Sequence, residues 1–524
     1  MLKSIQIISR LCFVFILTGL ISNPLYSQTT GERPNIVLIM GDDMSAEDFG
    51  AYGNDAIQTP TIDGLAKEGI RFENAYQTTS SCSPARTSLI SGRYPHNTGA
   101  PELHMAKSPH LENLPQFPHL LREAGYYSVQ AGKAHFNGDV SKSFHKMGGS
   151  RPSGAENWVE HLQERPKDQP FFMWFAAHDA HRNWDLNLED GPHRPDDVIV
   201  PPYLADGPLT RKDLAHYYNE IHRFDNKIAE VVEELKAQGV YENTLLIIVG
   251  EDGRPFPRSK CWLYDSGVKT PLVMHWPERL KNPSVPESLV SWIDLPPTIL
   301  ELAGVAVPPE FQGVSLTPFF DEPGTSVRDF VFAERNYHAQ RNHERMVRHG
   351  DFVYIRNNLP ELVGMNLAHY ALDRAGFYFK DDSEASYSEL VDFNKAGKAN
   401  TPAHEDVLRK PRPAEMLFNV ADDPHQIKNL AEDEEYAGTL NLLRNALDQW
   451  TEQTGDTIPA FEDMTPESVT RDNWDDAIGE SFRGHPSGGE IPGEATRAWE
   501  INNPGPIFTK DIKKRLQREE SLFN

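Results

Sequence analysis

Residues Asn35-Ile36-Val37-Leu38-Ile39-Met40-Gly41-Asp42-Asp43 form an unbroken apolar run that stops at a glycine and two carboxylates. Side chains on a strand alternate between its faces, so a run with no polar alternation predicts a strand buried on both sides. The same pattern recurs at Tyr126 to Ala131, Phe171 to Ala177, Thr244 to Gly250 and Pro271 to His275, with Gly69 to Phe72 as a shorter candidate. Between these lie segments with helical periodicity, among them Thr61 to Glu68, Leu114 to Ala124 and a long amphipathic stretch from Arg211 to Gln238. Repeated βα units predict an α/β fold, a mostly parallel sheet flanked by helices, with reactive groups beyond the C-terminal ends of its strands.

The texture changes near Val331. Phe352 to Arg356 and Glu415 to Asn419 alternate like antiparallel strands, and Glu435 to Thr451 reads as a helix. The predicted organisation is a secretory signal over residues 1–27, a catalytic domain over 28–345, a smaller C-terminal α+β domain over 346–454, and an extension over 455–524. The extension is rich in Pro, Gly and charge, so regular structure is expected there only near Lys510 to Glu520.

The signal reading rests on Lys3 and Arg10 ahead of an apolar run from Leu11 to Ile21, too short to span a bilayer, with a small residue at Ser27. No later segment replaces it as a stable membrane anchor, and a periplasmic or secreted location is expected. Removing residues 1–27 takes away two positive charges and no negative ones, so the formal net charge moves from -26 to -28. That excess of acid argues against nucleic acid or anionic membranes as partners. An anionic substrate then needs a local cationic pocket. The chain has 3 cysteines, Cys12, Cys82 and Cys261, too few for a disulfide framework, so stability must come from the core.

Cys82 opens the run Cys82-Ser83-Pro84-Ala85-Arg86, and the same segment closes with Leu89-Ile90-Ser91-Gly92-Arg93. A free cysteine is ordinarily a small buried hydrophobe. Here the polar Thr79-Ser80-Ser81 precedes it and Pro84 follows, which predicts a helix from Pro84 to Ser91 closed by Gly92 and puts Cys82 at its N-terminus, where anions collect. Gly41-Asp42-Asp43 and Gly250-Glu251-Asp252-Gly253 are acidic pairs at two strand ends. Each alone is an ordinary solvated loop. Brought together, four carboxylates would repel unless a hard dication joined them, and with no Cys or His adjacent in either pair calcium suits them better than zinc. Gly132-Lys133-Ala134-His135, His178-Asp179-Ala180-His181-Arg182 and Arg258-Ser259-Lys260 supply cations and imidazoles, again after strands. Tyr337, His338, His343 and Arg345 are candidates to line a saccharide pocket, with a polar strand edge as the alternative.

The pattern C-x-P-x-R followed by S-G-R resembles the signature of type I sulfatases, whose cysteine is oxidised to formylglycine (3-oxoalanine). The resemblance covers roughly residues 33 to 435, including Asp422-Asp423-Pro424 and Lys428-Asn429-Leu430-Ala431. Gly253-Arg254-Pro255-Phe256-Pro257 and the His178 to Arg182 context are most similar to the heparan N-sulfatase (sulfamidase) branch and its bacterial polysaccharide-sulfatase relatives. It implies an alkaline-phosphatase-like fold, with Cys82 as the nucleophile after maturation by a formylglycine-generating or anaerobic maturation enzyme. Arg86, Lys133 and Lys260 would absorb charge, His135 would orient the hydrate, and His181 would protonate the leaving group. Asp42, Asp43, residue 82, Glu251 and Asp252 would hold one divalent ion, Ca2+ or Mg2+. The sequence departs from the family in two places: Glu251-Asp252 stands where Asp-Asn or Asp-His is usual, and Ala180 replaces a proline. His178 and Arg258 are either substrate contacts, with His338 and Arg345, or structural. The implied function is sulfuric ester or sulfamate hydrolysis on a sulfated oligo- or polysaccharide, O-sulfated as in ulvan or glycosaminoglycans, or N-sulfated. The alternatives are a phosphomonoester or phosphonate hydrolase of the same fold, and a non-catalytic binder of sulfated glycans.

Overall fold

The two-sided apolar run becomes the central strand of a seven-stranded sheet. A computed structural model describes residues 33–103, 111–336, 338, 342–360, 385–399, 401–456 and 498–502. The expected signal over residues 1–27, Tyr337 and the segment Lys510 to Glu520 lie outside the described residues.

The large domain contains β1 (Asn35–Met44), β2 (Ile70–Arg71), β3 (Asn74–Tyr76), β4 (Tyr127–Gly132), β5 (Lys146–Gly148), β6 (Phe171–Ala176), β7 (Thr244–Asp252), β8 (Leu272–His275) and β9 (Leu289–Ser291). The main sheet runs β2-β8-β7-β1-β6-β4-β5, while β3 and β9 pair separately. All pairings in the main sheet are parallel except those of β8, which runs against both neighbours. Val37 and Ile39 of β1 face one core with Met173, Phe175, Leu246 and Ile248. Ile36, Leu38 and Met40 face the other with Phe172, Trp174, Leu245 and Ile247. The first core is covered by α1 (Pro60–Glu68), α4 (Trp158–Glu164) and α5 (Pro208–Ala237), and the second by α2 (Cys82–Ser91), α3 (Phe117–Glu123) and α7 (Leu295–Leu302).

Two apolar faces leave strand register weakly specified, because a one-residue slip exchanges one hydrophobic face for another. The glycines at the strand ends resolve it. Gly41 lies opposite Gly250, and a Cβ would come within 2.3 Å of Met44 Sδ at the first and 2.7 Å of the Met44 carbonyl oxygen at the second.

The smaller layer is an antiparallel sheet of β10 (Val331–Arg335), β11 (Glu344–His349), β12 (Phe352–Asn357) and β13 (Glu415–Asn419) in that order. The helix Ala437–Thr454 packs Leu443, Leu447 and Trp450 against Phe332, Val347 and Tyr354. The sheet therefore begins at Val331, and the expected boundary after residue 345 would cut through β11. Two helices inside the expected C-terminal domain belong to the large one. Leu390 of Ala385–Lys395, with Ala403 and Val407 of Pro402–Leu408, joins the α5 core, and Glu389 accepts the Thr210 N–H (2.7 Å) at the start of α5. The extension also contributes: Ala498–Asn502 is helical, Ile501 is buried, and Asn502 Oδ1 accepts from Tyr94 (2.6 Å) and Arg328 (2.9 Å).

Gly132 ends β4 with φ +90°, and a Cβ there would lie 1.8 Å from the Ala176 carbonyl oxygen at the end of β6. Gly132→Ala is therefore expected to cost about 2 kcal/mol or more in urea unfolding. An unchanged midpoint would contradict this close approach of the two strands.

Candidate active site

The order β7-β1-β6-β4 places four strand ends side by side, and each carries one of the motifs. The β1–β7 ladder shifts register between Gly41 and Met44, which lifts Asp42 and Asp43 out of the pairing. Asp43 (φ 57°) and Asp252 (φ 64°) both adopt the left-handed region. Aspartate tolerates that conformation better than most residues, at a cost of about 1–3 kcal/mol. The loop after β6 runs along β1: Asp42 N–H donates to the Asp179 carbonyl and Ala180 N–H to the Asp42 carbonyl, each at 2.7 Å. Lys133 N–H donates to the Ala176 carbonyl (2.8 Å), which fixes the loop after β4.

The catalytic helix starts at Cys82, two residues before the expected start, and Gly92 closes it in the left-handed region (φ 62°). Its polar approach is tied to β7. Gln77 Oε1 accepts the Asp252 N–H (3.0 Å), and Ser80 Oγ donates to the Asp252 carbonyl while accepting the Cys261 N–H, both at 2.7 Å. Tyr217 of α5 donates to the Asp43 carbonyl (3.0 Å). The sequence reading missed Gln77, Ser80 and Tyr217 as supports. The run of polar residues before Cys82 was the available signal for the first two, and nothing local marked Tyr217.

Asp42, Asp43, Asp252 and Cys82 each bring one ligand atom into a buried cluster in which these atoms lie within 4.8 Å of one another, and His181 lies equally close to Asp43 and Cys82. Lys133 Nζ donates to Asp42 Oδ2. Lys260 Nζ donates to Asp43 Oδ1 (2.5 Å) and stands 3.7 Å from Asp252 Oδ2. Arg86 grips both oxygens of Glu251, through Nε (3.0 Å) and Nη2, and its Nη1 donates to the Lys133 carbonyl (2.6 Å). Glu251, expected as a metal ligand, is thus the partner of Arg86 and stands outside the ligand cluster.

Burial dominates the electrostatics. It would raise the Asp42 carboxyl, but Lys133, with His181, Arg86 and Lys260 beyond it, holds that group below its ordinary range. Asp43 is pushed up to about 7, because burial and the neighbouring Asp42 and Asp252 outweigh Lys260. Asp252 is raised by burial despite Lys260. Burial, then Asp252, pushes the Cys82 thiol well above its usual value, so a thiolate is disfavoured despite the helix N-terminus. His181 is partly exposed to solvent yet closely surrounded by protein. Desolvation and then Lys260 push it well below the usual imidazole value. Asp42 Oδ1, Asp43 Oδ2 and both Asp252 oxygens are buried without a hydrogen-bond partner. Such orphaned anionic oxygens are costly, and an all-carboxylate donor set of this kind fits a hard divalent cation.

The other expected residues divide. His338 shares a hydrogen bond with Ser81 Oγ (2.8 Å), next to Cys82. His135, half-buried with φ 50°, follows Lys133 on the same loop. His178 is half-buried, and burial, with Arg151 behind it, pushes it down to about 4. Arg258 turns away: it donates to Asp406 (2.7 Å) and to the His425 and Gln426 carbonyls and lies over the Tyr264 ring. Arg345 is buried against Asp456 (2.5 and 3.0 Å). Both arginines are buried and engaged by an acid, Arg258 by Asp406 and Arg345 by Asp456. Asp456 also gathers with His96 and Glu334, where Glu334 accepts from Asn336 and shares a hydrogen bond with His96.

The sequence matches the sulfatase family over residues 34–155 and 153–305, and the C-terminal family of N-sulphoglucosamine sulphohydrolase over residues 256–357. The chain belongs to the sulfatase family and is a sulfuric ester or sulfamate hydrolase. It is similar to human N-sulphoglucosamine sulphohydrolase, with 30% identity over 81% of this chain and 91% of that one. It is also similar to an ulvan-active sulfatase of Formosa agariphila, with 28% identity over 81% of this chain and 76% of that one. Among solved structures, a protein in complex with its substrate D-glucosamine-2-N,6-O-disulfate superposes with a TM-score of 0.61 at 18% identity, covering 82% of this chain and 100% of that one. A 2-O GAG sulfatase superposes with a TM-score of 0.62 at 22% identity, over 83% and 96%. These superpositions establish the alkaline-phosphatase-like fold.

His178 gives the site a pH signature. The unfolded chain takes up a proton near the ordinary imidazole value of 6.5, which the folded protein refuses until about 4. Stability is therefore lost as pH falls from 6.5 towards 4, by at most about 3 kcal/mol from this group. Denaturant titrations at both ends of that window should show the parent losing more stability than His178→Gln, and equal losses would rule the effect out.

Proposed function

We propose that the protein removes sulfate from a sulfated carbohydrate with residue 82, matured from cysteine to formylglycine, as its nucleophile. The observation that carries this reading is the convergence on Cys82 of three aspartates with orphaned oxygens, two lysines and His181. Together these meet the needs of an attack on a sulfur that bears negative oxygens. The hydrate of the matured residue supplies the attacking hydroxyl. Asp42, Asp43, Asp252 and residue 82 would hold a calcium ion, with magnesium the alternative, which when bound would supply a positive field for the sulfate and its developing charge.

The chain's own residues do the rest. Lys133 and Lys260 bind sulfate oxygens, and Arg86 keeps the Lys133 loop in place. His181 uses Nδ1 against the Arg182 carbonyl, which leaves Nε2 to carry the proton that the departing oxygen or nitrogen needs. The negative sulfate beside it would favour uptake of a proton from solvent at Nε2, and the low proton affinity of the ring makes that proton readily given up to the leaving atom. His135, on the loop that carries Lys133, is the base assigned to returning the aldehyde. His338 contacts the sugar beside the nucleophile.

Similarity to an ulvan-active sulfatase and to N-sulphoglucosamine sulphohydrolase supports a polysaccharide-derived substrate. The match of residues 256–357 to the C-terminal family of the latter favours N-sulfoglucosamine over an O-sulfate ester. Maturation requires a formylglycine-generating or anaerobic enzyme, and we assign the protein to the periplasm or the medium. No helix among the described residues is long and apolar enough to cross a membrane.

Mass spectrometry of the peptide bearing residue 82 should show an aldehyde in place of the thiol. Cys82→Ala should lower sulfate release by about a thousandfold or more with unchanged melting; retained activity would end this reading. Chelation should abolish turnover and calcium should restore it, whereas Asp43→Asn should stay inactive at any calcium level. A panel of N- and O-sulfated sugars, with the phosphate ester of one alcohol alongside, assigns the substrate: faster phosphate release would favour a phosphatase instead.

A further inference from the structure

Glu251 ends β7 beside Asp252, yet the two carboxylates do different things. Both Glu251 oxygens are held by Arg86, and the pair is fully buried. Asp252 has both oxygens orphaned and shares the ligand cluster with Asp42, Asp43 and Cys82, from which Glu251 is missing. We infer that in this protein Glu251 is a positioning residue for Arg86, and that the divalent ion is held by Asp42, Asp43, Asp252 and residue 82 without it. This rests on the reading of the site given above.

The extra methylene of Glu251 is what lets β7 reach α2. Arg86 passes the constraint on, because its remaining arm holds the Lys133 carbonyl (2.6 Å), and Lys133 in turn meets Asp42. One buried pair thereby sets the relative placement of β7, the nucleophile's helix and the loop after β4, a registry role that buried ion pairs can serve. A guanidinium gripped through two nitrogens cannot follow a carboxylate withdrawn by about 1.5 Å, the length of one C–C bond, without giving up that geometry. Glu251→Asp is then a damaging change here.

Calcium calorimetry on the full-length protein, together with kcat and KM for sulfate release, compares Glu251→Gln, Glu251→Asp and Asp252→Asn. Both Glu251 variants should bind one calcium within about threefold of the parent affinity. Their kcat should fall about tenfold or more, KM should hold within about threefold, and added calcium should not rescue them. Asp252→Asn should weaken calcium about tenfold or more. If Glu251→Gln does not fold, since it leaves Arg86 buried without a counter-charge, Glu251→Asp keeps the charge and carries the comparison. A Glu251 variant that loses calcium as far as Asp252→Asn and regains activity with added calcium overturns the inference, as does a fully active Glu251→Asp. Absence of calcium binding in the parent would instead overturn the metal reading and this inference with it, a result distinct from a loss confined to Glu251.

Discussion

Asp42, Asp43, Glu251 and Asp252 are four carboxylates buried at the strand ends, and the cost of burying them organises everything around them. Three permanent cations answer four acids: Arg86 takes Glu251, Lys133 takes Asp42, and Lys260 lies against Asp43 and Asp252. One negative charge and several oxygens remain unanswered. A buried anion without a partner is among the most expensive features a fold can carry, so the arrangement makes sense as a receptor for a cation and, through it, for an oxyanion.

The sheet makes that concentration of charge affordable by keeping it at one end. Along β1 both faces are apolar, and burying each such side chain contributes about 1.5–3 kcal/mol relative to exposure. The polar groups are confined to the few residues where the ladder ends, shifts register and turns left-handed at Asp43 and Asp252. Strain of that kind persists only where the surroundings over-determine it, and here the Asp179–Asp42 backbone pair, Gln77, Ser80 and Tyr217 do so.

Remote parts of the chain brace the same helix. The segment after α2 carries Tyr94, His96 and Asn97, which meet Asn502, Glu334 and the Thr454 carbonyl. Arg345 and Asp456 close the cluster and reach Asn336, two residues from His338 at the nucleophile's N-cap. The smaller layer therefore braces the helix that carries Cys82 as well as forming a sheet of its own.

Much of this was legible in the chain alone. Uninterrupted apolar runs ending in Gly-Asp or Gly-Glu announced a buried parallel sheet with polar groups gathered at the strand ends, and the spacing around Cys82 marked the residue on which those groups converge, because both patterns are local. Partner choice was not legible. Glu251 and Asp252 are neighbours in sequence yet meet different partners, Arg86 for the first and the cluster around Cys82 for the second, while Arg258 and Arg345, candidate substrate ligands by sequence, pair with Asp406 and Asp456. The boundary after residue 345, the return of Ala385–Lys395 and Pro402–Leu408 to the large domain and the docking of Ala498–Asn502 escaped for the same reason. Which charge neutralises which, and which helix covers which face, depends on distances between residues far apart in the chain, and only the folded arrangement sets those distances.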